Sequence, residues 1–536
     1  MPRVDQNVID AVEISIFASL FSALCEEMGA ALMLSAFSPN IKERRDFSTA
    51  LFSPEGRLVA QAAHIPVHLG SMGFALRGVL GALELGPGDM AVLNDPYLGG
   101  THLPDITVVA PVHAGGRLAG YVANRAHHSD IGGRTAGSMG TATCLTDEGL
   151  VIGPTRLVKA GTIVSPAFDA ILAAVRTPDE RAGDLQAQIA ANRTGARRLA
   201  ELCAREGSDR ATEAMQAVLD HGRRVALATL GCFPPGSYSA EDFLDDDGLG
   251  LTDIPIRCRV TLSPDRFVAD FTGTAPQVPG NLNAVFPVTF AAVAYCFRCL
   301  MPPRTPSSAG CFEPLEVLVP AGCLLNPERP AAVAAGNVET SQRIVDTVLL
   351  ALSRALPDRV PAASSGSMNN FAFTGVDPAS GQPFSYYETI AGGMGARPGA
   401  AGLDAVHTHM TNTLNTPVEA LELAYPVRVT RYQVRRGSGG RGRHTGGNGV
   451  VREIEVLCDA ELSISSERRR RAPYGLAGGQ PGRPGANYLI AHGRRRRLPG
   501  KLSGPWRPGE RLRLETPGGG GFGRAPARRT RTRQEP

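Results

Sequence analysis

Asp95, His102 and Asp105 lie close together in the stretch NDPYLGGTHLPDITVVAPV (94–112), and a His127-His128 pair follows about 25 positions after the first histidine. Imidazole and carboxylate together suit Zn²⁺, Mn²⁺ or Fe²⁺, whereas an all-oxygen set would favour Mg²⁺ or Ca²⁺. A cation held by such groups acidifies bound water. The same side chains also cap turns and bond backbone amides, so spacing alone leaves both roles open. Adjacent residues of an extended segment point to opposite sides, so one of His127 and His128 faces the same spot as His102.

A β-meander must position these groups. MAVLN, ITVVAPV and LAGYVAN read as strands, joined by the loop DPYLGGTHLPD and the turn HAGGR. If Val112 faces Leu118 across the turn, opposed positions sum to about 230 and Asp105 sits near Arg125. The loop holding His102 and the segment holding the histidine pair then meet at one end of the hairpin. Pro104 opposes a continuous helix there, and Gly99-Gly100 permits a tight backbone path.

Around the meander, residues 8–37 have helical apolar spacing ended by Ser38-Pro39, and STALFS (48–53) with RLVAQA (57–62) reads as a hairpin. DLQAQIAANRTGARRLAELC and ATEAMQAVLDHGRRVALATL read as amphipathic helices, as does SQRIVDTVLLALSRALP. IRCRVTL and RFVADFTG read as strands, a buried helix is expected near 286–300, and short strands alternate with Gly and Pro turns over 425–520. This order predicts a mixed α+β, β-rich, multi-layer architecture with amphipathic helices and a metal site at the end of a β-meander. The expected divisions are 1–175, an N-terminal α/β region with the ligand motifs; 176–235, helical; 236–425, central α+β; 426–523, β-rich; and 524–536, a disordered basic tail.

A chain of 536 residues is too long for one simple core. Its 62 Gly and 41 Pro point to many turns rather than long helices. No stretch reaches the ~18 uncharged apolar residues of a membrane span, and the N-terminus lacks a basic leader, so a cytoplasmic address without membrane contact is the expectation. Ten scattered cysteines, including the Cys296/Cys299 CxxC, fit reduced thiols in apolar settings better than disulfides or a metal knuckle.

The net charge of +4 hides an asymmetry: from Arg431 onward roughly 24 basic residues face roughly 8 acidic ones. The arginine runs at 468–471 and 494–497 lack interleaved aromatics and are expected to be solvated surface, with no nucleic-acid partner. GGGGFG (518–523) fits G-x-G-x-x-G only formally, because no helix follows it. The sequence holds no phosphate-loop motif and no G-x-S-x-G nucleophile elbow, so a nucleotide, if used, is expected on another chain.

Several long segments resemble the hydantoinase B/oxoprolinase family. They are NIKERRDFSTALFSPEGRLVAQAAHIPVHLGSMG (40–73), the 94–112 stretch, NRAHHSDIGG (124–133), GDLQAQIAA (183–191), GNVETSQRIVD (336–346), ETIAGGMGA (388–396), NTPVEALE (415–422) and SGGRGRHTGGNGVVREIE (438–455). The resemblance spans roughly residues 5–523 in one order. It implies a B-type subunit of an ATP-dependent cyclic amide hydrolase that opens a hydantoin, 5-oxoproline or lactam ring. An A-type partner would bind ATP and phosphorylate the substrate, and this chain would supply a metal-activated water. Two copies of each chain are expected in the hetero-oligomer. The alternatives are a ketone carboxylase component, disfavoured by chain length, and a non-catalytic scaffold for the partner.

Carried over from the family, the metal set is Asp46, His102, Asp105 and His127, with Zn or Mn the expected ion and His102 and Asp105 nearest the chemistry. Asp95, His128, His64 and His68 are expected to support ligands or touch substrate. Glu339, Arg343 and Glu388 fall in family motifs with no assigned step.

Overall fold

The computed structural model describes residues 9–62 and 65–525. His64 and nearly all of the basic tail lie outside the described residues. The first sheet has seven strands: β1 (Phe47–Phe52), β2 (Leu58–Ala62), β3 (Met90–Leu93), β4 (Asp105–Ala114), β5 (Arg117–His127), β6 (Thr155–Lys159) and β7 (Thr162–Ile163). Their order is β2-β1-β5-β4-β3-β6-β7, and every pairing is antiparallel. The predicted meander is therefore present, with β5 also receiving β1 on its other edge.

The register differs from the expectation by two residues. Across the turn Leu118 faces His113 rather than Val112, which moves the ladder by one residue, and a bulge between Val112 and His113 moves it by one more, so that Asp105 opposes His127 and Thr107 opposes Arg125. A bulge inserts an unpaired residue that strand periodicity alone does not reveal. Because the shift is even, each side chain keeps its predicted face.

Helix α1 (Ala11–Ser35) starts on an Asp10/Glu13 capping box. It is long and apolar enough to cross a membrane by length and composition, yet Phe17, Phe21, Leu24 and Met28 pack into the main core. Helices α2 (Pro178–Glu206) and α3 (Ser208–Gly231) meet at Gly207, where the sequence shows its Gly-Ser-Asp break. α2 lies over β4 and β5 with a polar stripe facing them. Gln188 donates to the Ile106 carbonyl at 2.9 Å and Asn192 to the Val108 carbonyl at 3.0 Å. Asp184 accepts the backbone N–H groups of Phe37 and Ser38. Part of the GDLQAQIAA segment thus clamps the back of the first sheet.

A second sheet, order β11-β10-β9-β8, contains β8 (Gly236–Asp246), β9 (Thr252–Leu262), β10 (Phe267–Asp270) and β11 (Leu315–Leu318), and only β10–β11 is parallel. Helices α4 (Phe286–Leu300) and α5 (Ser341–Ala355) pack together, and α5 covers β8 and β9. Ile344, Val345, Val348, Leu349 and Leu352 give α5 its helical apolar stripe.

Two further antiparallel sheets complete the fold. β12 (Asn370–Val376) and β13 (Pro383–Glu388) join β16 (Ala460–Ser465) and β19 (Lys501–Trp506) in the order β13-β12-β16-β19. β14 (Val427–Arg435), β15 (Gly449–Val456), β17 (Ala486–Ala491), β18 (Arg494–Leu498) and β20 (Arg511–Glu515) form the other, in the order β14-β15-β20-β17-β18. An aromatic core joins these two sheets, including Phe373, Tyr386, Tyr425 and Trp506. The mixed α+β expectation holds, and all ten cysteines are unpaired.

The run Arg468–Arg471 is not solvated surface as expected. Arg468 and Arg469 are buried; Arg468 pairs with Asp242 and Asp346 at 2.6 Å each, and the Arg469 backbone N–H donates to the Asp245 carboxylate. Their partners lie more than a hundred positions away, so no local pattern could show the pairing. Arg494–Arg497, by contrast, are exposed on β18, as expected.

Candidate metal centre

Three neighbouring strands bring the predicted ligands to one sheet end. Asp46 immediately precedes β1, Asp105 begins β4 and His127 ends β5, with the His127 backbone N–H donating to the Asp46 carbonyl at 3.0 Å. His102 lies on the turn before β4. That turn is close-packed: Gly99 has φ +105°, and a Cβ there would stand 2.3 Å from the Phe74 carbonyl oxygen.

Asp105 is the hub. Its Oδ1 lies 3.2 Å from His102 Nε2 and 3.3 Å from His127 Nδ1. Its Oδ2 accepts from the Thr101 hydroxyl at 2.6 Å and Asn337 Nδ2 at 3.4 Å, and lies 3.3 Å from His68 Nε2. His68 Nδ1 in turn meets the Ser48 hydroxyl at 2.9 Å. One carboxylate oxygen is therefore held by surrounding polar groups, and the other faces two imidazoles.

Ligand atoms of His102, Asp105 and His127 all lie within 4.8 Å of one another, and all three residues are buried. Burial alone would raise the Asp105 carboxyl, but the imidazoles of His102, His68 and His127 gathered around it hold it well below the usual carboxylate range. Burial lowers His68 and His127, keeping both imidazoles neutral.

These residues fit a divalent transition metal. His102 Nδ1 faces the Ala334 carbonyl at 3.3 Å, so a proton donated there leaves Nε2 as a lone pair toward Asp105. His102 Nε2, His127 Nε2 and Asn337 Oδ1 are buried without a hydrogen-bond partner. Orphaned acceptors beside a carboxylate call for a bound ion or water. A cavity of about 20 Å³ lies here, enough for roughly one water-sized occupant. Its wall includes Asp46, His68, Asp105, His127, Asn337 and Tyr387.

Asp46 belongs to this wall, but the tight donor set is His102, Asp105 and His127. Its carboxylate stands 3.8 Å from the buried Arg44 guanidinium. His128 faces away: its Nε2 meets Gln188 on α2 at 3.1 Å, and burial, helped by the Arg181 charge, lowers it to about 4. The alternation of side chains thus selects His127. Asp95 caps the short turn at Tyr97 and pairs with the half-exposed Arg329, which gives its carboxylate a structural task of its own.

The remaining wall comes from distant segments. The backbone Gly336–Thr340 forms a π-helical turn, a feature frequent at functional sites. A Cβ on Gly336 would stand 1.8 Å from the Asn283 carbonyl oxygen, so only glycine lets this turn deliver Asn337 to Asp105. The Tyr387 ring stacks on His127 at 4.5 Å, with 19° between planes. Tyr387 donates to Asn370 Oδ1 at 2.6 Å, and Asn370 donates to Glu339 Oε1 at 2.7 Å. Arg44 donates to the Tyr387 carbonyl at 3.1 Å from the other side.

Sequence reasoning therefore missed Thr101, Asn337, Tyr387 and Arg44 as site residues. Thr101, Asn337 and Arg44 sit inside family motifs and Tyr387 immediately precedes one, so the motifs were the signal that could have found them. Glu388 and Arg343 are structural in this fold. Glu388 pairs with buried Arg452 at 3.1 Å, and Arg343 with Asp346 at 2.9 Å.

The comparisons with known proteins place nearly the whole chain in one family. The hydantoinase B/oxoprolinase family matches residues 10–525. The chain is 42% identical to 5-oxoprolinase 1 of Arabidopsis thaliana, over 97% of this chain and 42% of that longer protein. It thus spans about two fifths of that relative's length. The B component of a putative D-/L-hydantoinase from Pseudomonas sp. is 30% identical, over 97% of this chain and 91% of the relative. The ATP-dependent caprolactamase structure from Pseudomonas jessenii superposes with a TM-score of 0.90 at 29% identity, covering 97% of this chain and 93% of that one. A match over nearly the whole chain means that this chain belongs to the hydantoinase B/oxoprolinase family.

Proposed function

We propose that this chain is the B-type component of an ATP-dependent cyclic amide hydrolase. An A-type partner would bind ATP and transfer its terminal phosphoryl group to the amide oxygen of a hydantoin, 5-oxoproline or lactam. A first water would then add to the activated carbon and the ring C–N bond would break, the nitrogen leaving as the amine, and a second water would hydrolyse the resulting acyl phosphate to carboxylate and phosphate. The observation that carries this reading is the convergence of His102, Asp105 and His127, whose ligand atoms lie within 4.8 Å of one another with His102 Nε2 and His127 Nε2 orphaned, beside a small cavity that Asp105 and His127 line. The names of the relatives support the substrate class.

A divalent ion bound there would act as a Lewis acid and make hydroxide accessible near neutral pH. The protein's own part is to hold the donors still. Thr101, His68 and Asn337 fix one Asp105 oxygen, so the other is presented in one orientation. Tyr387 packs its face on His127 and covers it. The cavity does not accommodate a ring, so in this reading substrate reaches it only when the wall formed by Val338, Met368, Tyr387 and Thr389 moves.

The test is co-expression with an A-type partner, followed by metal analysis, measurement of the stoichiometry of the complex and a screen of cyclic amides for amide-dependent ATP turnover. We expect bound transition metal and turnover in the wild type, and neither in a folded His102→Ala complex. Unchanged turnover in His102→Ala overturns the site. Labelled bicarbonate incorporated into a ketone would assign the carboxylase reaction instead.

A further inference from the structure

We propose that Glu148 is a positioning residue for the His102 imidazole, acting through the backbone of Val333 and Ala334. The inference rests on the reading of His102 as a metal-binding residue. The short helix Leu145–Glu148 lies against residues 330–334 and grips them at two points. The Leu145 backbone N–H donates to the Pro330 carbonyl at 2.9 Å. Glu148 Oε1 accepts from the backbone N–H groups of Val333 and Ala334, both at 2.8 Å. Asn283 Nδ2 adds a bond to the Ala332 carbonyl at 3.0 Å. The segment so fixed ends in the Ala334 carbonyl, which faces His102 Nδ1 at 3.3 Å.

The chemistry of this relay is specific. A metal-binding imidazole needs its other nitrogen protonated and held, because that bond sets the tautomer and the ring direction. Ala334 supplies the acceptor, and Glu148 fixes the backbone that carries it. Glu148 has no ion-pair partner among the described residues, and its Oε2 is buried without a hydrogen bond. A carboxyl buried this way is costly. Stability alone gives no reason to place it there, whereas a single oxygen that accepts two adjacent N–H groups is well suited to hold a peptide in one plane. Glu148 is separated from His102 by 46 positions and from Ala334 by 186, so the relay exists only in the folded chain.

The experiment measures Zn²⁺ affinity of the purified full chain by calorimetry, together with histidine side-chain NMR of metal-free protein labelled with ¹⁵N at histidine. In Glu148→Ala we expect Zn²⁺ binding weakened roughly 10–100-fold and the protected His102 Nδ1–H resonance lost. Glu148→Gln keeps the accepting oxygen and should restore both to near the wild-type values. Ile454→Ala, in the separate aromatic core, serves as a destabilised control that should lower the melting temperature and leave Zn²⁺ affinity unchanged. Wild-type affinity and an intact Nδ1–H signal in Glu148→Ala would overturn the proposal, as would a Gln variant as impaired as the Ala variant. If the wild type itself bound no Zn²⁺, the metal reading would fall, and the metal-free Nδ1–H signal would still decide whether Glu148 positions His102.

Discussion

Around Asp105, two imidazole nitrogens and an amide oxygen are buried without partners, and the neighbouring histidines are neutral. Between α5 and the 467–501 segment, an equally buried cluster supplies its own cations. Arg343 faces Asp242, Asp346 and Glu467; Arg468 faces Asp242 and Asp346; Lys501 faces Glu467 at 2.7 Å. Both clusters contain residues from family motifs, so motif membership does not separate them. The difference lies in charge balance. A cluster complete in itself joins distant parts of the chain, and one left with orphaned acceptors fits the cation that we propose it receives.

Substitutions sharpen this contrast. Asp105→Asn keeps the shape of the hub but removes its charge. It should weaken metal binding beyond the roughly 10–100-fold cost expected for a supporting residue, with little change in unfolding of the metal-free chain. Elemental analysis and urea titration together check this, and full metal retention would erase the distinction. Arg468→Ala should do the reverse: leaving Asp242 and Asp346 short of a buried cation costs roughly 3–5 kcal/mol of stability, while Zn²⁺ affinity is spared. Wild-type unfolding of that variant would show that the second cluster does not bind the regions together.

The smallest effect is expected at Glu339, which links the clusters by accepting from Met368 and Asn370. Burial, aided by the nearby Glu467 charge, pushes its carboxyl up to about 8, whereas in the unfolded chain it stays near 4.5. The folded state therefore binds a proton that the unfolded state has released between these values. The resulting stability is complete below about pH 4.5 and is lost as pH rises through about 8. Melting temperatures should fall by a few degrees across that window in the wild type and less in Glu339→Gln. Parallel pH profiles for the two proteins would show that Glu339 does not hold the proton.

The meander was legible in sequence because strand alternation and Gly-Gly turns are local signals, and they brought His102, Asp105 and one of the 127/128 pair together without any relative. Neither the tight turn that pairs Ala114 with Arg117 nor the Val112/His113 bulge was legible, so Asp105 was placed opposite Arg125 instead of His127. Asp46 needed the family resemblance, since nothing local tells a carboxylate before a strand from a turn cap. Asn337 and Tyr387 arrive from segments more than two hundred residues beyond His127, through a π-helical turn and a separate sheet. The Arg468–Arg471 run misled for the same reason, because charge density along the chain does not report partners across it.

The stack of Tyr387 on His127 also bears on the order in which the protein is made. Asp105 and His127 lie on one sheet formed by the first third of the chain and His102 on the turn that enters it, and 260 positions separate His127 from the ring that covers it. At typical translation speeds of about 5–20 residues per second, that separation is roughly 10–50 s. Throughout this interval the donors have been synthesised and their cover has not, so the nascent chain offers an ion a far more open route than the finished protein does.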